Sequence, residues 1–418
     1  MMEYGLIGER LPHSFSREIH GKLADYDYEL CEVPRGELDA YMRRHAFKAI
    51  NVTIPYKEAV IPYLDELDAS ALLCGAVNTV VNRGGHLTGY NTDISGMAAL
   101  MRRLGIDLNG KRVLILGTGG TSKTASALAD RSGALETVRV SRTARDGAIT
   151  YDDAYRCFHD ADVIINTTPC GMYPNVCGTP IDIRRFGKLK GVADAVYNPL
   201  RTNLVLDALS LGITAEGGLY MLVAQAVAAS ELFTGTAYDT SEIDRVFREV
   251  LCEKENIILT GMPGAGKSTV GRILSQRLGR RLIDTDELIE RESGRSIPEI
   301  FASDGESEFR NIESKAVSEA ASANIGAVIS TGGGAVLRED NVRALRRSGR
   351  VFYLDRPLSM LIPTANRPLA GNREAIEQRY RERNGIYRST CDAVIDNVTS
   401  PDAAANAVIA ALHSLSDR

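Results

Sequence analysis

IILTGMPGAGKST, residues 257–269, runs from an apolar strand-like segment into a glycine-rich turn that ends on Lys267 and Ser268. The spacing from Gly261 to Gly266, Lys267 and Ser268 is that of a P-loop. In such a loop Gly264 and Gly266 let backbone N–H groups point inward with those of Thr269, Lys267 reaches the outer phosphates of a nucleotide, and Ser268 ligates Mg2+. A P-loop follows the first strand of its own domain, yet 256 residues precede this strand. That is room for at least one other domain, so the loop predicts a phosphoryl-transfer unit and also divides the chain.

The bulk composition narrows the partners. Of 418 residues 44% are hydrophobic and 25% charged, which suits folded globular material of two or three domains. A net charge of -5 with interleaved signs offers no footprint for nucleic acid or an anionic membrane, so small-molecule substrates are expected. No apolar run approaches the ~18 residues of a membrane span, and MMEYGLIGERL lacks a signal-peptide core, so a cytoplasmic address is expected. The seven cysteines form no C-x-x-C pair and read as reduced thiols; the histidines lack zinc-ligand spacing. Oligomeric state is not legible.

Outward from the loop toward the N-terminus, polar residues recur at the ends of apolar strands. Ser14 and Ser16 stand at a helix start, where they either cap the helix or hold a carboxylate. AINVTIPYKEAV is a strand followed by Lys57; GAVNTVVN carries Asn78; GYNTD leads into a helix at Asp93. In an open α/β sheet such ends line the ligand crevice, so Lys57, Asn78 and Asp93 can converge although distant in sequence.

KRVLILGTGGTSKTASALADRSG is a strand, a turn with Gly117, Gly119 and Gly120, and a helix; TVRVS and ADVIINTTP supply two more strands. The order is that of a mononucleotide-binding half. After the second strand come Ser141, Arg142, Thr143 and Arg145 where an NAD site wants a carboxylate. Guanidinium groups pair with a 2′-phosphate, which favours NADP(H); solvated arginines are the other reading.

Taken together, Ser14-x-Ser16, NVTIPYK, GAVNT, GYNTD, GTGG, NTTPCGM, DAVYNP and GGLYMLVAQA, in this order over about 250 residues, resemble shikimate dehydrogenase. The resemblance implies a two-domain dehydrogenase with a Rossmann-like NADP domain. It further implies that Ser14 and Ser16 take the shikimate carboxylate, that Thr53, Asn78 and Gln225 meet the ring hydroxyls, and that Lys57 with Asp93 lies at the reacting centre. Tyr197 and Gly217 would border the nicotinamide.

Beyond the P-loop, RLIDTDELIERESG places Asp284 and Asp286 after a strand. One carboxylate can serve Mg2+ and the other orient an attacking hydroxyl, while helix capping by Asp286 is the plainer reading. Phe309, Arg310 and Glu313 share a helical face, and AVISTGGGAVL opens into Gly332, Gly333 and Gly334, which permit either close approach or only a tight turn. Arg367, Arg379, Arg381, Arg383 and Arg388 punctuate a polar segment that reads as a basic lid or a solvated helix.

The set GMPGAGKST, DTD, EFRNIE, STGGG, RPL and RNGIY resembles shikimate kinase over about residues 256 to 415. By that resemblance Asp286, Arg310, Gly333 and Arg383 bind shikimate, Arg367 meets the phosphates, and Ser268 and Asp284 serve the metal. The kinase domain would be a parallel sheet flanked by helices. The expected organisation is a dehydrogenase over 1–252, with a substrate domain from 1–93 and 218–252 and an NADP domain at 94–217, followed by a kinase over 253–418. The expected reactions are 3-dehydroshikimate to shikimate with NADPH, then shikimate to 3-phosphoshikimate with ATP. A quinate-using dehydrogenase fused to another kinase, or one half kept as a ligand-binding regulator, are the alternatives.

Overall fold

The computed structural model describes residues 2–12, 14–361 and 373–416, and separates into two compact units, Met1–Val250 and Leu251–Arg418. The boundary falls within helix Ser241–Lys254.

The first unit holds two six-stranded sheets. Strands β1 (Tyr4–Gly8), β2 (Tyr28–Glu32), β3 (Ala49–Val52), β4 (Glu66–Leu67), β5 (Thr79–Arg83) and β6 (His86–Tyr90) make a mixed sheet in the order β2-β1-β3-β5-β6-β4. Its parallel side, β2-β1-β3, carries short buried runs such as AINV, as strands covered on both faces should. The antiparallel hairpin β5–β6 turns on Gly84 and Gly85, with φ of +64° and +95°. Two successive positive φ angles are what a tight primed turn demands, hence the Gly-Gly pair.

β7 (Arg112–Leu116), β8 (Glu136–Ser141), β9 (Ile149–Thr150), β10 (Val163–Asn166), β11 (Gly191–Asp194) and β12 (Thr214–Glu216) form the second sheet, wholly parallel, in the order β12-β11-β10-β7-β8-β9. The order reverses at β7, and the glycine turn follows that strand, at the switch point where open α/β sheets bind ligands. Sequence patterning indicates three strands here; β9, β11 and β12 are short or interrupted by glycine and turn residues, and their pattern is correspondingly faint. Helices Asp93–Arg103 and Leu219–Thr234 pack together so closely that a Cβ on Gly96 would lie 2.5 Å from the Met221 carbonyl oxygen.

In the second unit β13 (Asn256–Thr260), β14 (Leu282–Asp284), β15 (Val328–Ser330), β16 (Gly349–Asp355) and β17 (Ala393–Asp396) form a parallel sheet ordered β14-β15-β13-β16-β17. Helices cover both faces and bury β13 entirely. The long helix Ile297–Ser322 starts in a Ser296/Glu299 capping box and kinks at Gly305, whose φ of +81° is non-helical. All seven cysteines are unpaired thiols. No helix among the described residues is long and apolar enough to cross a membrane.

Candidate active sites

In the first unit the polar residues meet because Asn78 ties three strand ends together. Its backbone carbonyl accepts from the Val52 amide at the end of β3, and its own amide donates to the Tyr90 carbonyl at the end of β6. The next residues on each strand are thereby brought side by side. The Asn78 side-chain amide donates to Asp93 Oδ1 at 2.9 Å, Thr92 Oγ1 at 3.0 Å and Gln225 Oε1 at 3.3 Å, while its Oδ1 accepts the Thr92 amide at 2.7 Å. Asp93 opens its helix, where the helix dipole favours a carboxylate. Its second oxygen, Oδ2, accepts from Lys57 Nζ at 2.5 Å. With side-chain exposures of 14% and 9%, this ion pair is largely withdrawn from water yet still open on one side.

Lys57 also faces the glycine turn: Nζ lies 3.4 Å from Thr121 Oγ1. A Cβ on Gly120 would sit 3.4 Å from both Cβ and Cδ of Lys57, so glycine there leaves the lysine stem its path past the start of the helix. Gly117 has φ of +115° and no room beside Thr167, whereas a Cβ on Gly119 would touch nothing. A bare backbone facing open space at a helix start is what a pyrophosphate needs. Beyond β8, Arg142, Thr143 and Arg145 are exposed, and Arg145 Nη2 donates to Thr118 Oγ1 of the glycine turn at 3.2 Å. Arg145 thus stands beside that turn, where a cation fits the 2′-phosphate of NADP(H).

Tyr197 reaches this unit's Ser14, with which it hydrogen-bonds, and packs against Phe15 at 5.2 Å between ring centroids. Burial pushes its phenol up to about 12. Ser14 and Ser16 lie 3.1 Å apart through their hydroxyls, and Ser14 Oγ accepts the Ser16 amide. Ser14 therefore does cap-like work while remaining beside Tyr197. The loop bearing Tyr197 is pinned by Asp194, fully buried, which accepts from Thr202 Oγ1 at 2.6 Å, Asn166 Nδ2 at 2.8 Å and the Val196 amide at 3.0 Å. Burial raises the Asp194 carboxyl to about 6 against these three bonds. Gly217 is confined by backbone, its would-be Cβ 2.5 Å from the Leu200 carbonyl. Thr53 follows β3, its methyl against Gly8. Thr92 and Thr121 were not singled out by sequence; their hydroxyls join the Asn78 and Lys57 networks, and threonine next to a more conspicuous residue gives no pattern of its own.

In the second unit the loop after β13 takes left-handed φ at Gly261, Gly264 and Gly266, of +145°, +81° and +88°. Lys267 Nζ donates to the loop carbonyls of Gly261 at 2.9 Å and Met262 at 3.1 Å. Ser268 Oγ donates to Asp284 Oδ2 at 2.7 Å and lies 3.4 Å from Ser330 Oγ; Thr269 is exposed on the first helical turn. This cluster of hard oxygens beside the loop fits Mg2+. The helix cap is Asp284, which accepts the Asp286 amide through Oδ1 at 3.0 Å, so Asp286 is not the capping residue.

Asp286 is instead brought to Glu313 across Gly332: a Cβ on that glycine would lie 2.7 Å from Asp286 Oδ1 and 2.8 Å from Glu313 Oε1. Glu313 accepts from Arg310 Nη1 at 2.7 Å, and Glu306 accepts from Arg310 Nη2 at 3.0 Å. Burial raises the Glu313 carboxyl and Arg310 pulls it back; for Arg310, burial lowers its affinity for the proton but pairing with Glu313 prevails and raises it. Arg383 Nη1 donates to the Gly333 carbonyl at 3.2 Å, where the Tyr387 hydroxyl also donates. Gly333 packs on Pro263 of the P-loop, and Gly334 leaves space for the Arg310 guanidinium. Asp286, Glu313, Arg310, Gly333 and Arg383 thus form one group next to the P-loop. Arg367 lies outside the described residues.

Comparisons with known proteins follow the same division. The family profile "Shikimate dehydrogenase substrate binding domain" matches residues 6–80, and "Shikimate kinase" matches residues 263–413. A shikimate dehydrogenase (NADP(+)) of Clostridium perfringens is 35% identical over 269 residues, 60% of this chain and 99% of that protein. The crystal structure of shikimate dehydrogenase 1 from Peptoclostridium difficile has a TM-score of 0.56 at 34% identity, covering 60% of this chain and 98% of that one. The Thermus thermophilus shikimate 5-dehydrogenase, in complex with NADP(H) and shikimate, has a TM-score of 0.54 at 28% identity, covering 60% and 100%. With a relative matched along nearly its whole length by the first part and a family profile matched by the second, the chain belongs to the shikimate dehydrogenase family and carries a shikimate kinase domain behind it.

Proposed function

We propose that the chain performs two consecutive reactions: NADPH-dependent reduction of 3-dehydroshikimate to shikimate, and ATP-dependent phosphorylation of the shikimate 3-hydroxyl. The first belongs to residues 1–252, with substrate held by 1–93 and 218–252 and cofactor by 94–217; the second belongs to 253–418. The observation that carries the reading is the pairing of Lys57 with Asp93 opposite the Gly117–Gly120 turn in a chain that also presents a P-loop to Asp286.

Bound NADPH supplies the hydride to the substrate carbonyl carbon. As negative charge grows on the carbonyl oxygen, the Lys57 ammonium stabilises and protonates it, giving the alcohol. Asp93 holds the lysine in place and fixes the direction of its N–H bonds. Ser14 and Ser16 take the substrate carboxylate, Thr53, Asn78 and Gln225 the ring hydroxyls, and Tyr197 and Gly217 border the cofactor. Arg142, Thr143 and Arg145 hold the 2′-phosphate.

In the kinase half Arg310 and Arg383 take the carboxylate, and Asp286 and Gly333 place the 3-hydroxyl. The hydroxyl oxygen forms a bond to Pγ as its proton passes to the Asp286 carboxylate, while the bond from Pγ to the bridging oxygen breaks and ADP leaves. Lys267 stabilises the charge of the transferring group; Ser268 and Asp284 would hold Mg2+, which would supply further charge neutralisation there. We infer a cytoplasmic setting, supported by seven unpaired thiols.

The test offers the purified chain shikimate or quinate with NADP+ or NAD+, and separately with ATP. Turnover is expected with shikimate in both assays and with NADP+ over NAD+. Lys267→Ala should abolish phosphorylation and leave the dehydrogenase rate intact; an equal loss of both in folded protein refutes independent sites.

A further inference from the structure

Asn78 aims its amide at Asp93 only while something decides which end of that amide is nitrogen. The oxygen and nitrogen of a side-chain amide fill nearly the same space, and the donors and acceptors around them hold one orientation. Turned over, Asn78 would set its oxygen against Asp93 Oδ1, which now accepts from Nδ2 at 2.9 Å. One donor to Asn78 Oδ1 is the Thr92 backbone amide at 2.7 Å. The Thr92 hydroxyl lies within reach of both ends, 3.0 Å from Nδ2 and 3.2 Å from Oδ1, and so distinguishes neither. A second donor to Oδ1 comes from below, from Thr79, which ends the GAVNT motif.

Thr79 opens β5, is fully buried and faces Asn51 across the β3–β5 pair. The direction of the protons around it follows from groups that cannot reverse. The Asn78 backbone carbonyl only accepts, so the Asn51 nitrogen must face it, at 3.3 Å, and that nitrogen also donates to Thr79 Oγ1 at 3.0 Å. Asn51 Oδ1 therefore points to Tyr28, whose hydroxyl donates to it at 2.7 Å from the far side of β1. Burial raises the Tyr28 phenol well above its ordinary value and keeps it a donor, while the His20 ring, stacked on it at 3.9 Å, holds it in place. Having accepted from Asn51, Thr79 Oγ1 has its own proton to give, and Asn78 Oδ1 lies 3.1 Å away. Buried polar groups are costly unless paired, and this chain pairs each of them in one direction, toward Asp93.

We propose that Thr79 is a positioning residue of the dehydrogenase half: its hydroxyl, made a donor by Tyr28 and Asn51, fixes the Asn78 amide toward Asp93 and thereby the carboxylate that holds Lys57. This rests on the dehydrogenase reading given above. The experiment measures NADP+-dependent oxidation of shikimate by the full-length chain carrying Thr79→Val, Thr79→Ser, Asn78→Ala, or Thr79→Val together with Asn78→Ala. Thr79→Val, close in shape but without the hydroxyl, should lower kcat roughly 5- to 50-fold with KM for NADP+ unchanged. Thr79→Ser keeps the hydroxyl and should stay within about threefold of wild type. In Asn78→Ala no amide remains to be oriented, so adding Thr79→Val should lower kcat by less than about twofold. A purely structural loss would act alike in both backgrounds.

A kcat for Thr79→Val within about twofold of wild type overturns the proposal, as does an equal fall in both backgrounds, or Thr79→Ser as poor as Thr79→Val. If Thr79→Val does not fold, Tyr28→Phe replaces it, removing only the first proton of the chain: a fall in kcat seen with Asn78 and absent without it supports the proposal, and any other result refutes it. If wild type fails to turn over shikimate, the dehydrogenase reading falls separately. Crystal structures of wild type and Thr79→Val then decide the role of Thr79: an Asn78–Asp93 contact lengthened or broken in the variant supports it, and one kept at 2.9 Å refutes it.

Discussion

Gly332→Ala places one methyl group between Asp286 and Glu313, and its consequence can be worked from the contacts. The added Cβ would lie 2.7 Å from Asp286 Oδ1 and 2.8 Å from Glu313 Oε1. An ordinary carbon–oxygen contact is about 3.3–3.6 Å, so relief of the clash needs a retreat of roughly 0.5 Å or more at each carboxylate. Glu313 has little freedom, because it is buried and held to Arg310 at 2.7 Å. The displacement therefore falls largely on Asp286, which the proposed mechanism requires against the attacking hydroxyl. A misplacement near 1 Å costs about 100-fold in rate, so a fall in kinase kcat of about 10- to 100-fold is expected. The assay couples ADP release to NADH oxidation, with shikimate-dependent NADP+ reduction by the same polypeptide as the control for folding of the first unit. Retained binding of an ATP analogue checks that the P-loop is intact. A kinase kcat within twofold of wild type would refute the placement of Asp286 at the reacting hydroxyl.

Lys57→Ala should lower dehydrogenase kcat by about 100- to 10,000-fold, as loss of a proton donor does, while KM for shikimate moves far less. An unchanged kcat with a raised KM would make Lys57 a binding residue only. Asp194→Asn tests the buried carboxyl of the Tyr197 loop. The wild-type group has its folded pKa raised from 3.8 to about 6, so its stabilising contribution is complete below pH 4 and is lost as pH rises through 6. That shift corresponds to about 3 kcal/mol. The difference in Tm between Asp194→Asn and wild type should therefore move in favour of the variant between pH 4 and pH 7; a difference independent of pH would refute the raised value.

The elements easiest to find in the sequence were those in which composition and geometry coincide. IILT before the P-loop and VLIL before the GTGG turn are buried on both faces, so they read as continuous apolar runs, and the glycines that end them occupy backbone conformations closed to other residues. β11 and β12 are not legible as strands in the sequence. GVAD begins on a glycine and ends on a buried aspartate, and TAE has three residues, so neither shows the apolar run or alternation that identifies a strand. Their place is decided by pairing along β10 and β11, a non-local interaction that leaves no local trace.

The same distinction runs through the two sites. Residues legible in advance are those whose chemistry is conspicuous at a strand end: Lys57, Asp93, Lys267, Asp286. Those not legible act through one of them. Thr92 and Thr121 join the clusters because Asn78 and Lys57 reach their hydroxyls; Glu313 shows its helical face in the sequence but not its partner, since a buried Arg310 and a glycine bring it to Asp286. Asp286 illustrates both sides. Its position just after β14 suited helix capping as well as chemistry, and spacing could not separate the two, since Asp284 and Asp286 are equally acidic and both near the helix start. The backbone decides: the amide of Asp286 points back to Asp284, so Asp284 spends one oxygen on the cap and the other on Ser268, while the Asp286 carboxylate projects toward Gly332. The division of labour between two neighbouring carboxylates thus follows from which of them the first turn of the helix claims.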